Sequence, residues 1–298
     1  MSPSRRREAL TFYLLISPWL LGFLLLTVGP MLYSLYTSFT RWDLLTDPVW
    51  IGLGNYVDKM PNDPRFWQSL KVTLIYTALY VPLELVGGLF LAMLVNNQIR
   101  GVRVFRTIFY LPTVLAGVAF AVVWLWMLNP RGGLVNLILA QVGIVGPRWL
   151  LDPDWALSAL LMMSFWGWGR AMIIYLAGLQ GIPGELYESA AIDGANPWAK
   201  FRYVTLPMLS PTIFFNLILS VIGTFQTFTN AFVATNGGPL DATLFFVLYL
   251  YKQAFELLNM GYASALAWVL FLVILVLTLL IFRTQRFWVF YAGEKVDE

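Results

Sequence analysis

Six apolar stretches, each long enough to cross a lipid bilayer, dominate this sequence of 298 residues. They occupy residues 10–34, 70–95, 108–128, 155–179, 209–233 and 261–282. A helix needs about 20 apolar residues to cross the ~30 Å hydrocarbon layer, so each stretch predicts one membrane-spanning helix. We therefore predict an all-α integral membrane protein with six transmembrane helices, which form a single transmembrane domain over residues 1–298.

The composition agrees with a membrane protein and excludes many enzymes. Hydrophobic residues make up 59% of the chain and charged residues 12%, and the mean hydropathy is +0.71. The chain contains no His and no Cys, which removes the active sites and metal sites that depend on those side chains. We expect no catalytic residues and no metal ligands. Because the basic residues follow the membrane topology, we expect lipid and not nucleic acid around this chain.

The distribution of Lys and Arg predicts the orientation of the chain. Segments on the side of the N-terminus hold more basic residues than the opposite segments, although the opposite segments are longer in total. The basic residues on the N-terminal side are Arg5, Arg6, Arg7, Arg100, Arg103, Arg106, Lys200, Arg202, Arg283, Arg286 and Lys295. The positive-inside rule then places both termini and residues 180–207 in the cytoplasm. On the outer side, Trp42, Trp50, Trp67, Trp149 and Trp155 form a predicted interfacial aromatic belt.

The cytoplasmic segment between the fourth and fifth spans has a distinct local pattern. It reads ELYESAAIDGANPWAKFRYVTLP over residues 185–207. Good helix formers are followed by Asp193-Gly194, a pair suited to ending a helix, and then by Asn196-Pro197, a pair suited to starting one. The sequence therefore predicts a helix, a turn and a second helix near the inner membrane surface.

The spacing within this segment resembles the EAA loop of the membrane subunits of binding-protein-dependent ABC importers. The matching positions are Glu188-Ser189-Ala190, Gly194, Val204 and Leu206-Pro207. Ser189 and Val204 replace the family's Ala and Ile with side chains of similar size. Further similarity lies in GLGNYV at 52–57, in the segment 106–130 and in NGGP near residue 238. The chain is most similar to the MalF/UgpA-type branch of carbohydrate permeases.

This resemblance implies a fold, a function and a set of partners. The fold would be that of a type I ABC importer permease in a bacterial or archaeal plasma membrane. The chain would carry a sugar, an oligosaccharide, or a sugar or glycerol phosphate delivered by an extracytoplasmic binding protein. It would pair with a related MalG/UgpE-like permease subunit as a heterodimer and with two cytoplasmic ATPase subunits. The implied ATPase-coupling residues are Glu188, Ser189, Ala190, Ala191, Asp193, Gly194, Leu206 and Pro207.

The resemblance also implies that this chain is not an enzyme and binds no cofactor itself. ATP and Mg would be bound by the ATPase subunits. The sequence agrees, because it contains no G-x-x-x-x-G-K-[ST] phosphate loop.

Two charged residues, Glu84 and Arg170, fall deep inside predicted spans, whereas Lys71 lies at the end of one. Glu84 in the second span and Arg170 in the fourth are expected at comparable depth. Charges inside a membrane require a partner or a cavity, so the two side chains either form a structural ion pair or place Arg170 against the substrate.

Polar side chains in the fifth span are candidates for the substrate path. In a continuous helix, Ser220, Thr224 and Thr227 would share one face, with Gln226 and Asn230 beside it. In the fourth span, aromatic and glycine residues would complete a sugar site; they are Phe165, Trp166, Gly167 and Trp168. The alternative is that the polar residues join helices and that Gly167, Gly169 and Gly223 permit close helix packing.

Two other functions remain open at this point. An ion-coupled secondary transporter could use Glu84 as its coupling carboxylate, although it would not account for the segment 185–207. A membrane enzyme acting on lipid could use Asp152 and Asp154, but these residues flank Pro153 where a solvated turn is expected.

Overall fold

The computed structural model describes residues 3–97, 101–115 and 117–291. Arg100 and Lys295, which contribute to the predicted orientation, lie outside the described residues. The helices are α1 (Pro3–Phe23), α2 (Gly29–Ser38), α3 (Pro64–Val95), α4 (Val102–Val114), α5 (Gly117–Met127), α6 (Leu134–Gln141), α7 (Pro153–Ser164), α8 (Trp168–Gln180), α9 (Gly184–Ile192), α10 (Pro197–Lys200), α11 (Leu206–Phe225), α12 (Thr229–Ala234), α13 (Phe246–Tyr251) and α14 (Met260–Thr284). Two short strands, β1 (Thr40–Arg41) and β2 (Val49–Trp50), pair antiparallel.

Among the residues that the structure describes, five helical segments are long and apolar enough to cross a membrane. They are Leu10–Ser38, Pro64–Val95, Pro153–Gln180, Pro197–Ala234 and Met260–Phe287. A sixth crossing is available if α4 and α5 together form one span, and these two helices meet at 102°. The third span predicted over 108–128 would then consist of the C-terminal part of α4 and all of α5, with the bend between them. Leu115 is extended, with φ −64° and ψ 137°, and its N–H bonds to the carbonyl of Pro112, which closes a turn and ends α4.

The larger of two compact units comprises residues 64–249 and 270–298. Its centre is formed where α3, α8 and α11 meet, and α4 packs against α8. Ala92, Met172, Tyr175 and Leu209 are buried there. Small residues let α3 and α8 approach closely, because a Cβ added at Gly88 would lie 2.7 Å from the Cβ of Ala171.

The smaller unit comprises residues 1–63 and 250–269. The amide of Asn55 donates to the carbonyls of Ser38 and Thr40, both at 2.9 Å, and so fixes the chain that follows α2. The Tyr262 hydroxyl donates to Asp63 at 2.7 Å. Burial lowers the pKa of Lys59, whose ammonium lies 4.2 Å from the Tyr262 ring centroid, and the charge of Asp63 opposes that shift.

Candidate substrate path and coupling loop

A polar cavity of about 210 Å³ lies within the larger unit, between α3, α8, α11 and α12. Six of the residues predicted for the substrate path line this cavity: Gly167, Arg170, Ser220, Thr224, Thr227 and Asn230. A narrower extension beside Asn216 is again lined by Glu84 and Arg170. Three sequence-distant helical segments therefore bring the predicted polar residues to one place.

The predicted ion pair between Glu84 and Arg170 is not formed. Both residues line the cavity, but among the described residues no salt bridge within 4.0 Å joins them. The hydroxyl of Ser220 donates to the Glu84 carboxylate, and the Tyr80 hydroxyl also interacts with it. These hydroxyls satisfy the carboxylate, so Arg170 contributes a longer-range charge and its side chain remains exposed in the cavity.

The fifth span is not the continuous helix that the sequence predicts. Helix α11 ends at Phe225, and α12 begins at Thr229. Gln226 and Thr227 close the end of α11 with N–H bonds to the carbonyls of Gly223 and Thr224, both at 3.2 Å. Thr227 therefore reaches the cavity from the interruption and not from a helical face. Irregular backbone at membrane depth is tolerated where it lines a cavity, as it does here.

The polar side chains around the break differ in whether they have hydrogen-bond partners. The Thr224 hydroxyl donates to carbonyls of its own helix, those of Ser220 and Val221, at 2.9 and 3.0 Å. By contrast, within the described ranges, the side chains of Thr227 and Asn230 make no hydrogen bond. These two side chains can therefore donate to or accept from a molecule in the cavity.

The three aromatic residues predicted for the sugar site line a different cavity. Phe165 and Trp166 line a separate, apolar cavity of about 440 Å³ with Trp168. The Trp166 ring packs against Trp124, with centroids 5.2 Å apart. Residues 165–167 form a 3₁₀ turn, and Trp166 also packs against Phe120, which does line the polar cavity, with ring centroids 5.9 Å apart. Contact of Phe165 and Trp166 with the substrate stays a prediction.

The cavity instead uses two tyrosines that the sequence analysis missed. Tyr76 and Tyr80 stack with centroids 5.6 Å apart and an interplanar angle of 7°. The Tyr76 hydroxyl hydrogen-bonds to Ser164, which also lines the cavity. The signal was present, since Tyr76, Tyr80 and Glu84 recur every four residues and thus share one face of α3.

The three glycines expected at helix contacts have different surroundings. A Cβ at Gly169 would collide with the Phe109 carbonyl, so the prediction of close helix packing is confirmed there. At Gly223 a Cβ would meet open space, and Gly223 lines the cavity. A Cβ at Gly167 would lie 3.5 Å from the Tyr80 hydroxyl, which is ordinary van der Waals contact.

The segment between the fourth and fifth spans folds as its local sequence predicts. Helix α9 contains Glu188, Ser189, Ala190 and Ala191, and Asp193 follows its last residue. The N–H of Ala195 bonds to the carbonyl of Ala190 at 2.9 Å, and the N–H of Gly194 to that of Ala191 at 3.1 Å. This is a Schellman motif, which requires the left-handed conformation found at Gly194, with φ +79°.

The start of the next helix and the contact that joins α9 to the fifth span are also well defined. The Asn196 side chain accepts from the Ala199 N–H at 2.8 Å, and Pro197 occupies the first turn of α10. The Tyr187 hydroxyl lies 2.9 Å from the Thr205 hydroxyl, which ties α9 to the start of the fifth span near Leu206 and Pro207. Ile192 at the end of α9 is 87% exposed. The loop therefore contains a short, fixed helix with an exposed apolar end.

No group of three or more potential metal-ligating residues occurs in the part of the chain that the structure describes.

The sequence pattern of one protein family, described as the binding-protein-dependent transport system inner membrane component, matches residues 84–288. The chain belongs to this family. It is thus a permease subunit of an ABC importer, a multi-pass protein of the inner membrane, and the predicted family resemblance is confirmed.

Similar permeases cover almost the whole chain. The probable ABC transporter permease protein YesP of Bacillus subtilis is 44% identical over 298 residues, covering 99% of this chain and 96% of that protein. The lactose transport system permease protein LacF of Rhizobium radiobacter is 39% identical, covering 79% of this chain and 80% of LacF. The trehalose/maltose transport system permease protein MalF of Thermococcus litoralis is 33% identical, covering 96% of this chain and 97% of MalF.

A solved structure supports the predicted fold. The chain matches a bacterial ABC transporter involved in the import of the acidic polysaccharide alginate with a TM-score of 0.83 and 25% identity, covering 94% of this chain and 96% of that one. The family and this match confirm the all-α membrane fold of a type I ABC importer permease.

Proposed function

We propose that this permease subunit passes a sugar or oligosaccharide through the polar cavity beside the interruption of its fifth span. A binding protein on the extracytoplasmic side delivers the sugar, and two separate ATPase subunits drive the transport. A related permease subunit completes the path as a heterodimer. Both termini and α9 lie on the cytoplasmic side in this arrangement.

The chemistry of the cavity favours a sugar. A sugar requires neutral donors and acceptors for its hydroxyls, and the side chains of Thr227 and Asn230 are available for this in the described structure. The stacked Tyr76 and Tyr80 contribute an aromatic surface against which C–H groups can pack. Relatives named for the transport of lactose and of trehalose and maltose agree with this substrate class.

The size of the cavity supports a shared path. Its volume of about 210 Å³ is below the roughly 300–1,000 Å³ that is usual for pockets enclosing a ligand. Arg170 is exposed and lines this cavity. A second permease subunit facing Arg170 would enlarge and close the site, which is the reason we infer a permease pair.

The form of α9 supports coupling to a separate ATPase. This helix has a fixed C-terminal cap at Gly194 and an exposed apolar end at Ile192, as expected of a rigid element that docks into a cleft. We infer that Glu188, Ser189, Ala190, Ala191 and Asp193 meet the ATPase, whereas Leu206 and Pro207 connect the loop to the fifth span. In this arrangement ATP and Mg are bound by the ATPase subunits.

The observation that carries the proposal is the pair of unpartnered polar side chains at the interruption of the fifth span. Thr227→Val with Asn230→Ala removes both groups, and Thr229→Val is the control, because the Thr229 methyl group faces Gly117 of α5. The assay measures sugar imported per ATP hydrolysed by the complete transporter in proteoliposomes. Each lost hydrogen bond of about 0.5–1.5 kcal/mol should lower this ratio two- to tenfold.

The binding protein should still stimulate ATP hydrolysis in the double variant, because α9 is unchanged. If import per ATP equals that of the Thr229→Val control, Thr227 and Asn230 do not contact the sugar. A loss of stimulated ATP hydrolysis together with import would instead indicate damage to coupling.

A further inference from the structure

The short helix α6, between the third and fourth spans, exposes apolar side chains where a helix on a water-facing surface would expose polar ones. Its apolar side chains Leu134, Leu137 and Ile138 are exposed, and Ile138 is 54% exposed. The following segment continues this surface with Ile144 and with Val145, which is 96% exposed. An exposed contiguous apolar surface of this kind normally marks contact with a membrane or a partner.

The half-buried Asn136 side chain fixes the orientation of α6. The Asn136 amide donates to the carbonyls of Pro130 and Pro147, both at 3.3 Å, and its oxygen accepts from the Trp149 indole N–H at 2.6 Å. These bonds join α6 to the chain on both sides of it. The apolar side chains therefore cannot turn inward without breaking three hydrogen bonds.

Two contacts place α6 level with the ends of the neighbouring spans. Helix α5 ends at Met127, and the N–H of Gly133, just before α6, bonds to the Asn129 carbonyl at 2.9 Å. On the other side, Trp149, which bonds to Asn136, packs against Trp155 in the first turn of α7 with ring centroids 5.7 Å apart. Helices α7 and α8 form one span, which leads from α6 at its first end to α9 at its other end. Helix α6 therefore lies at the membrane surface opposite the coupling loop.

Continuity and charge favour lipid as the occupant of this surface. Helix α6 contacts α5, whose Trp126 is exposed near its end, so the apolar surface of α6 continues that of a membrane span. Residues 134–141 contain no charged side chain, whereas Arg131 and Arg148 flank them and are exposed. Apolar side chains between basic residues are typical of a helix that lies at the headgroups of anionic phospholipids.

We propose that α6 and residues 142–145 form an interfacial anchor, which is embedded in the lipid leaflet opposite the coupling loop and is bounded by Arg131 and Arg148 at the phosphate headgroups. The anchor would hold the outer ends of the third and fourth spans at a fixed depth. Those spans carry Phe120 and Arg170 of the polar cavity.

The absence of Cys from this chain permits a direct test. Leu137→Cys and Val145→Cys are each labelled with an environment-sensitive fluorophore in the complete transporter, which is reconstituted in phosphatidylcholine and phosphatidylglycerol vesicles. Asp47→Cys, in the exposed loop between β1 and β2, is the water-facing control. The wild-type complex treated in the same way gives the background from the partner subunits.

Lipids with a spin-label quencher on the acyl chain should quench the probes at Leu137 and Val145 at least about threefold more than the Asp47 probe, since interfacial helices lie about 5–10 Å deep. Equal quenching at all three sites would overturn the proposal. So would a Leu137 probe that is shielded by the binding protein but not quenched by lipid, because that result would identify a protein-docking surface.

A second arm tests the headgroup contacts. Arg131→Gln with Arg148→Gln should reduce the enrichment of phosphatidylglycerol around the purified transporter by about fivefold for each arginine lost. Unchanged enrichment would overturn the role of the two arginines.

Discussion

Gly194 offers the most quantitative test of the coupling loop. It adopts φ +79° at the end of α9, and a Cβ added there would meet nothing within 4 Å. The effect of Gly194→Ala is therefore conformational and involves no steric clash. An L-residue in the left-handed conformation costs roughly 1–2 kcal/mol. If α9 must keep its capped form to dock, the ATPase should bind the permease about five- to thirtyfold more weakly.

Two matched variants separate this cause from general damage. Gly194→Asn should bind nearly as well as the wild type, because Asn tolerates the left-handed conformation. Gly184→Ala, in the first turn of the same helix, also meets open space but has no positive φ, so it should have no adverse effect. The assay is titration of the purified ATPase subunit onto the permease pair in nanodiscs. Equal losses for Gly194→Ala and Gly194→Asn, or for Gly184→Ala, would refute the reasoning.

Two further substitutions test the interior of the larger unit. Arg170→Met should change the thermal stability by no more than about 0.5 kcal/mol, because Arg170 makes no salt bridge with Glu84 in the described structure, and should lower sugar import per ATP. A large drop in the melting temperature would instead indicate the ion pair. Gly88→Ala should destabilise the protein by about 1–3 kcal/mol, because the new Cβ would lie 2.7 Å from Ala171. Ala171→Gly should restore the melting temperature, and failure of this rescue would refute the close contact.

The features that sequence reasoning predicted well are those set by local chemistry. The helix end at Gly194 and the cap at Asn196 follow from conformational preferences of one or two residues, and the structure confirms both. Similarly, the positions of the apolar helices follow from the thickness of the bilayer. Glu84 and Ser220 are far apart in sequence, yet the sequence analysis identified both as candidates, because a polar side chain stands out in an apolar span. The structure brings them into hydrogen-bond contact.

The features that sequence reasoning missed depend on interruptions of helical periodicity. A 3₁₀ turn lies at residues 165–167, where Phe165 and Trp166 line the separate apolar cavity, and the break after Phe225 changes how Thr227 reaches the polar one. Neither interruption contains proline, and the glycines in or near them, Gly167 and Gly223, are also common at helix contacts in membranes, so the sequence did not mark either break clearly. The assumption of a continuous helix therefore failed at the cavity itself, where backbone irregularity places polar groups along the path.

The most direct test of the central claim is sugar uptake into proteoliposomes that contain this chain, its permease partner, the ATPase subunits and the binding protein. We expect uptake that requires ATP and the loaded binding protein, and that persists when proton and sodium gradients are collapsed. Uptake by the chain without ATPase subunits, driven by an ion gradient and abolished by Glu84→Gln, would contradict this expectation.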